Sequence, residues 1–172
     1  MKNFLFKLIL PAIAIGFIVA CEKESFTSDL MNDKGTQLEL RGTNSFTASL
    51  SGANEVPANE SDAHGVVILK IAPDETSIDY KLIASNIDSV WGAHLHLAPE
   101  GVNGPVVVGL FSGPVTGSQN GILSQGTITA ADVVGPLAGD LQSLIDTLRS
   151  GAIYTNVHTN FLPGGEIRGQ LD

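Results

Sequence analysis

The sequence predicts an all-β domain, a sandwich or barrel with one short covering helix, and three observations point there. From Thr43 onward, short runs rich in Val, Ile, Thr and Phe recur, several with strict alternation of apolar and polar residues. Clusters of Gly, Pro, Asn and Asp separate these runs and supply the turns between them. A single segment, after Asp140, changes to helical spacing, so the βαβ alternation of a parallel sheet is absent.

Ser45 to Leu50 sets Phe46, Ala48 and Leu50 against Ser45, Thr47 and Ser49, a strand with one apolar face, and the turn-rich stretch Gly52 to Asp62 follows as a loop. Gly65–Ala72 and Thr76–Ala84 form a hairpin through Pro73, Asp74 and Glu75. Ser89–Leu97 and Pro105–Phe111 are further strands, the second nearly continuous in valine and therefore expected to be covered on both faces. Gly121–Thr129, Ala152–Thr159 and Glu166–Leu171 bring the expected number to about eight. The helix covers about 140–149: Leu141, Leu144, Ile145 and Leu148 share one side, Asp140 is the N-cap, and Arg149 stands in the last turn before Gly151.

Composition bounds the function. A chain of 172 residues has room for one domain and an appendage, and 43% hydrophobic against 16% charged residues is the balance of a packed core. The net charge of −9 argues against nucleic acid as a partner, because neutralising phosphates takes a surplus of Lys and Arg. One cysteine excludes an internal disulfide, a cysteine-based zinc knuckle and a redox pair.

Lys2 and Lys7 flank the N-terminal region, and Leu8 to Ala20 run without a charge, the pattern of a signal peptide over residues 1–20. The run ends Ile18-Val19-Ala20-Cys21, which resembles the lipobox of bacterial lipoproteins. That resemblance implies cleavage before Cys21, a diacylglyceryl thioether on its sulfur and a palmitate-type N-acyl chain, with the membrane as partner. Residues 21–42 are polar and acidic without a period and read as a flexible stalk. Glu22 differs from the Asp that resembles an inner-membrane retention signal, so an outer-membrane position in the bacterial cell envelope is expected.

The chemistry-bearing residues are His94, His96 and His158. A period of two places Trp91, Ala93, Leu95 and Leu97 on the core face of their strand and both histidines on the other. In Ile153 to Thr159 the same period puts Tyr154, Asn156 and His158 opposite Ile153 and Val157. If the two strands are neighbours, three imidazoles meet on a partly exposed sheet surface, a set that suits zinc or copper. The same rings can instead bond loop carbonyls or carboxylates and hold Pro99–Pro105 or Leu162–Glu166 in place, or act as acid and base, and spacing does not choose among these readings. His64 is expected at a surface or turn. Glu166 and Arg168 share a face of the last strand, with an exposed local Glu–Arg network as their expected role. No Gly-x-Ser-x-Gly elbow, HExxH or Cys–His pair is present, so no catalytic residue is assigned and no enzyme is expected.

The segments FTASLSGANEVP (Phe46–Pro57), GAHLHLAPEGVNGPVVVGLF (Gly92–Phe111) and IYTNVHTNFLPGGEIRGQL (Ile153–Leu171) resemble the CHRD domain, named from chordin and also found in bacterial secreted proteins. The resemblance runs over residues 43–172 and implies an immunoglobulin-like β-sandwich or barrel with no established enzyme activity. Chordin's cysteine-rich growth-factor-binding modules have no counterpart here. The His94-Leu95-His96 pair with a distant His158 is also similar to the copper-site layout of copper/zinc superoxide dismutases on their Greek-key sandwich. This chain has no histidine between His96 and His158, so that family's bridging and zinc ligands are missing and only a mononuclear site remains. The expected function is therefore that of a lipid-anchored, non-catalytic binding or structural module with a protein partner in the envelope and no cofactor. The alternative is a copper or zinc binding, or metal-dependent redox, protein using His94, His96 and His158.

Overall fold

The computed structural model describes residues 43–172; the signal peptide, Cys21 and the stalk read from the sequence lie outside the described residues. Strand β1 (Ser45–Ser51) buries Phe46, Ala48 and Leu50 and turns Ser45, Thr47 and Ser49 outward, as its alternation requires. It pairs antiparallel with β2 (His64–Ile71), which buries Gly65, Val67, Leu69 and Ile71. The turn into β3 (Ile78–Leu97) uses the chemistry expected of it: Asp74 Oδ1 accepts from the Thr76 amide at 3.2 Å and from its hydroxyl at 2.9 Å.

Strand β4 (Val106–Ile128) runs back along β3 from His96 to Ile78 and occupies one edge of it throughout. Hence β2, which pairs with His64↔Ser85 to Ile71↔Ile78, and β5 (Ile153–Thr159), which pairs from Val90 to Leu97, follow each other along the opposite edge. The change of partner falls at 86–89, where Asn86 and Ser89 both adopt positive φ, at 56° and 55°. With β6 (Ile167–Gln170) between β1 and β5, the order is β2-β1-β6-β5-β3-β4, and the extra β2–β3 pairing closes the first five strands into a barrel. The expected all-β fold is present, as a barrel of five strands with β4 laid alongside. The expected eight strands number six, because Thr76–Ala84 and Ser89–Leu97 are continuous in β3, and Pro105–Phe111 and Gly121–Thr129 are continuous in β4. Bulges and bends replace the breaks that their turn residues suggested.

Helix α1 (Leu141–Arg149) is capped by Asp140, whose Oδ1 accepts from the Ser143 amide at 2.9 Å, and it buries Leu141, Leu144, Ile145 and Leu148 in the common core. Arg149 ties its end to Glu75 in the β2–β3 turn at 2.7 Å and to Asn44 before β1 at 3.0 Å. Val107 and Val108 are both fully buried, so the valine run is covered on both faces. The outer cover is the segment before α1, which bridges Val133 to Val108 and bonds the Val134 amide to the Val107 carbonyl at 2.8 Å.

Leu144→Ala is expected to lower stability by about 2–5 kcal/mol through lost burial and a residual cavity. Asp140→Ala, which removes only the cap, should cost about 1 kcal/mol. Ile122→Ser, at a position 58% exposed, should stay within about 0.5 kcal/mol of the parent. Urea denaturation of the three variants checks the order.

Candidate metal centre

The outer face of β3, β5 and β6 is built from cross-strand rows. His96 stands opposite Tyr154 and then Gln170; His94 stands opposite Asn156 and then Arg168; Gly92 stands opposite His158. His94, His96 and His158 are thereby brought together, each offering a ring nitrogen within 4.8 Å of the others. His64 is exposed at the start of β2 and takes no part. The surface expected to be partly open is mostly covered, since His96 and His158 are only 8% and 7% exposed, while His94 is half-buried.

Trp91 provides part of the cover, and here the sequence expectation is corrected. Against β5, the two steps from Val90 to Gly92 match the single step from Thr159 to His158, so Trp91 is an extra residue at a bulge. Val90, Ala93 and Leu95 fill the core, and Trp91 joins the histidine face instead. Its Nε1 donates to the Thr159 carbonyl at 3.2 Å, and its ring lies 4.9 Å from that of His158 and 6.2 Å from that of His94.

Loop carbonyls hold two of the rings. His96 Nδ1 lies 2.9 Å from the Gly104 carbonyl and His158 Nδ1 lies 3.0 Å from the Pro163 carbonyl. A carbonyl only accepts, so both Nδ1 atoms carry the proton and each neutral ring presents its Nε2 lone pair. Those two Nε2 atoms, with His94 Nδ1, are buried and have no hydrogen-bond partner. Burial, helped by the neighbouring imidazoles, pushes His94 down to about 4. Burial likewise lowers His96 and His158, against the opposing pull of the Gly104 and Pro163 carbonyls and, at His96, of the Asn156 side chain. At neutral pH the site therefore holds three uncharged nitrogen donors, the protonation state a metal ion requires.

Behind the histidines stands a layered support. The Arg168 guanidinium lies 3.4 Å over the centre of the Tyr154 ring, whose other neighbour is His96, stacked at 4.8 Å and 8°. Arg168 is only 2% exposed and donates to Asn103 Oδ1 at 2.9 Å and to the Val102 carbonyl at 2.8 Å, which fixes the 99–105 loop. Gly104 follows in that loop because its backbone lies against Leu97, where a Cβ would overlap the Leu97 carbonyl oxygen. Glu166 accepts from Ser61 Oγ at 2.7 Å and from the Thr159 hydroxyl. The exposed Glu166–Arg168 network is thus corrected: both side chains are buried, and each braces a different loop. Loops 52–62 and 99–105 must be covered somewhere, and these two long polar side chains reach them where no short side chain would.

The carboxyl group beside Arg168 belongs to Glu55, which the sequence reading passed over as one more acid in a turn-rich loop. It is 7% exposed, and its Oε1 is unpartnered against Gly165. Burial raises it to about 7, with Arg168 and the Val56 amide pulling the other way. The folded protein thus keeps a proton on Glu55 between its ordinary 4.5 and about 7, where the unfolded chain has released it. Its contribution to stability falls as pH rises through that window. His94 acts in the opposite sense, its contribution falling as pH drops from 6.5 toward about 4. Glu55→Gln is expected to remove the first slope, gaining roughly 2–3 kcal/mol on the wild type between pH 4.5 and 7. Thermal unfolding of both proteins across that range measures it, and parallel curves would contradict the assignment.

No curated protein and no solved structure matches the chain. A family model described as the CHRD domain matches residues 46–171, which takes in β1, both long strands, the helix and all three histidines. The chain belongs to the CHRD domain family.

Proposed function

We propose that this CHRD-domain protein is a lipid-tethered, non-catalytic binding module of the bacterial cell envelope, and that its ligand is one copper or zinc ion held by His94, His96 and His158. The observations that carry the metal reading are that each histidine brings a ring nitrogen within 4.8 Å of the others and that each has a buried ring nitrogen without a hydrogen-bond partner. Three neutral imidazoles are a donor set for Zn²⁺ with a fourth position open, and the Irving–Williams order places Cu²⁺ above Zn²⁺ on the same donors. Non-catalytic binding is supported by the want of any nucleophile-and-base pair in the sequence motifs. Family membership supports an immunoglobulin-like layout for the barrel. The lipobox-like run before Cys21 supports the tether, and the polar residues 21–42 support a spacer. A protein partner in the envelope is favoured by Phe161, 73% exposed between β5 and β6, and Val102, 49% exposed on the loop that Arg168 braces.

Calorimetric titration of Cu²⁺ and Zn²⁺ into the full chain is expected to give one ion per chain at micromolar affinity or tighter. His96→Ala and His158→Ala should abolish it while the far-ultraviolet dichroism stays that of a β protein. Absence of binding in the wild type would overturn the metal reading. The tether is checked separately: Cys21→Ala is expected to lose acyl labelling and move from the membrane fraction to the soluble one. Retention of the variant in the membrane would refute lipidation at Cys21.

A further inference from the structure

The three histidines are not equivalent. His96 and His158 are each held at Nδ1 by a loop carbonyl, and His96 is also stacked on Tyr154. His94 makes no hydrogen bond at either ring nitrogen among the described residues, and it is the most exposed of the three. The nitrogens lie within 4.8 Å of one another, whereas metal–nitrogen bonds of 2.0–2.1 Å bring ligand nitrogens to about 3.4 Å. Closing on an ion therefore takes a movement of up to about an ångström, and the ring that no hydrogen bond holds is His94.

His94 also lines a pocket of about 290 Å³, together with Trp91, Gly92, Gly109, Phe111 and Ser112. Missing side chains make this space. Gly109 is the partner of His94 across the β3–β4 ladder, and a Cβ built on it would meet nothing within 4 Å. Gly92, two residues before His94, keeps the other flank open, since a Cβ there would stand 3.2 Å from His94 Cε1. Structural metal sites are closed and their ligands are braced from behind. Here two ligands are braced and the third faces a port.

Resting on the metal reading above, we propose that the centre is an exchange site. His96 and His158 retain the ion, and His94 swings to admit and release it through the pocket between β3 and β4, to and from small nitrogen- or oxygen-donor chelators. The step is a ligand substitution: the incoming donor forms a bond to the ion as the His94 nitrogen bond breaks. Each electron pair stays with its donor and no electron is transferred, so no oxidant or reductant is needed.

Trp91, the single tryptophan of the chain, lies 4.9 Å from His158 and reports Cu²⁺ occupancy by fluorescence quenching. Stopped-flow loading of the full chain with Cu²⁺, then release to excess EDTA, gives both rates. Gly109→Leu, which fills the pocket and touches no ligand bond, is expected to slow loading and release together by about tenfold or more while the equilibrium affinity is kept. Gly109→Ala should slow them less and guards against a folding defect in the larger variant. His94→Ala should still bind, more weakly, and release faster, unlike His96→Ala. Unchanged rates in both Gly109 variants, or loss of binding in His94→Ala equal to that in His96→Ala, would overturn the exchange proposal alone. A wild type that takes up no Cu²⁺ would overturn the metal reading beneath it.

Discussion

A β-strand has two hydrogen-bonding edges, and in β3 one of them is taken along its full length by β4. Everything else in the barrel follows from how the other edge is divided. β2 uses the first half and β5 the second, so the strand must re-aim itself between them, and the positive-φ residues Asn86 and Ser89 stand at that point. The bulge at Trp91 comes directly after the change of partner. It shifts the alternation by one residue and so decides which side chains of the second half face outward. The histidine pair faces the β5 row as it does because of that shift.

The structural and metal-binding readings of the histidines, which look like alternatives on the sequence, are carried by opposite edges of the same rings. Nδ1 of His96 and of His158 holds a loop, and in doing so commits Nε2 to being a lone pair. The loops in turn need Arg168 and Glu166, which are buried yet bonded to backbone, amide or hydroxyl partners rather than to each other. A buried guanidinium without hydrogen bonds would be costly; with two loop acceptors, the Tyr154 face and the nearby Glu55, it becomes the brace of the site.

Much of this was legible in the residues. Period-two alternation locates β1 and β5, a β-rich run closed by turn residues locates β2, helical spacing with an Asp cap locates α1, and the CHRD-like segments mark the domain. The histidines were found because their alternation partners are apolar. The failures share a cause. Continuity of β3 through Asn86 and Ser89, and of β4 through Gly113, Gly117 and Gly121, depends on partners far away in the chain that stabilise a bent strand where local propensity favours a turn. Trp91 was misplaced because a bulge leaves no mark in periodicity. Glu55 was passed over because nothing local separates an acid that will be covered from one that will stay wet.

Ring closure also sets a hierarchy of motion. Four of the five barrel strands are joined to two neighbours and β3 to three, so removing any one breaks at least two pairings and opens the core. β4 has a ladder with β3 along one edge, while its other edge is met by the Val133–Val134 segment at Val107 and Val108. Its inward amides can be exposed by peeling one hairpin arm from β3. Amide exchange should therefore be fastest between Phe111 and Thr127 of β4, where no residue is buried, and slowest where β3 meets β5.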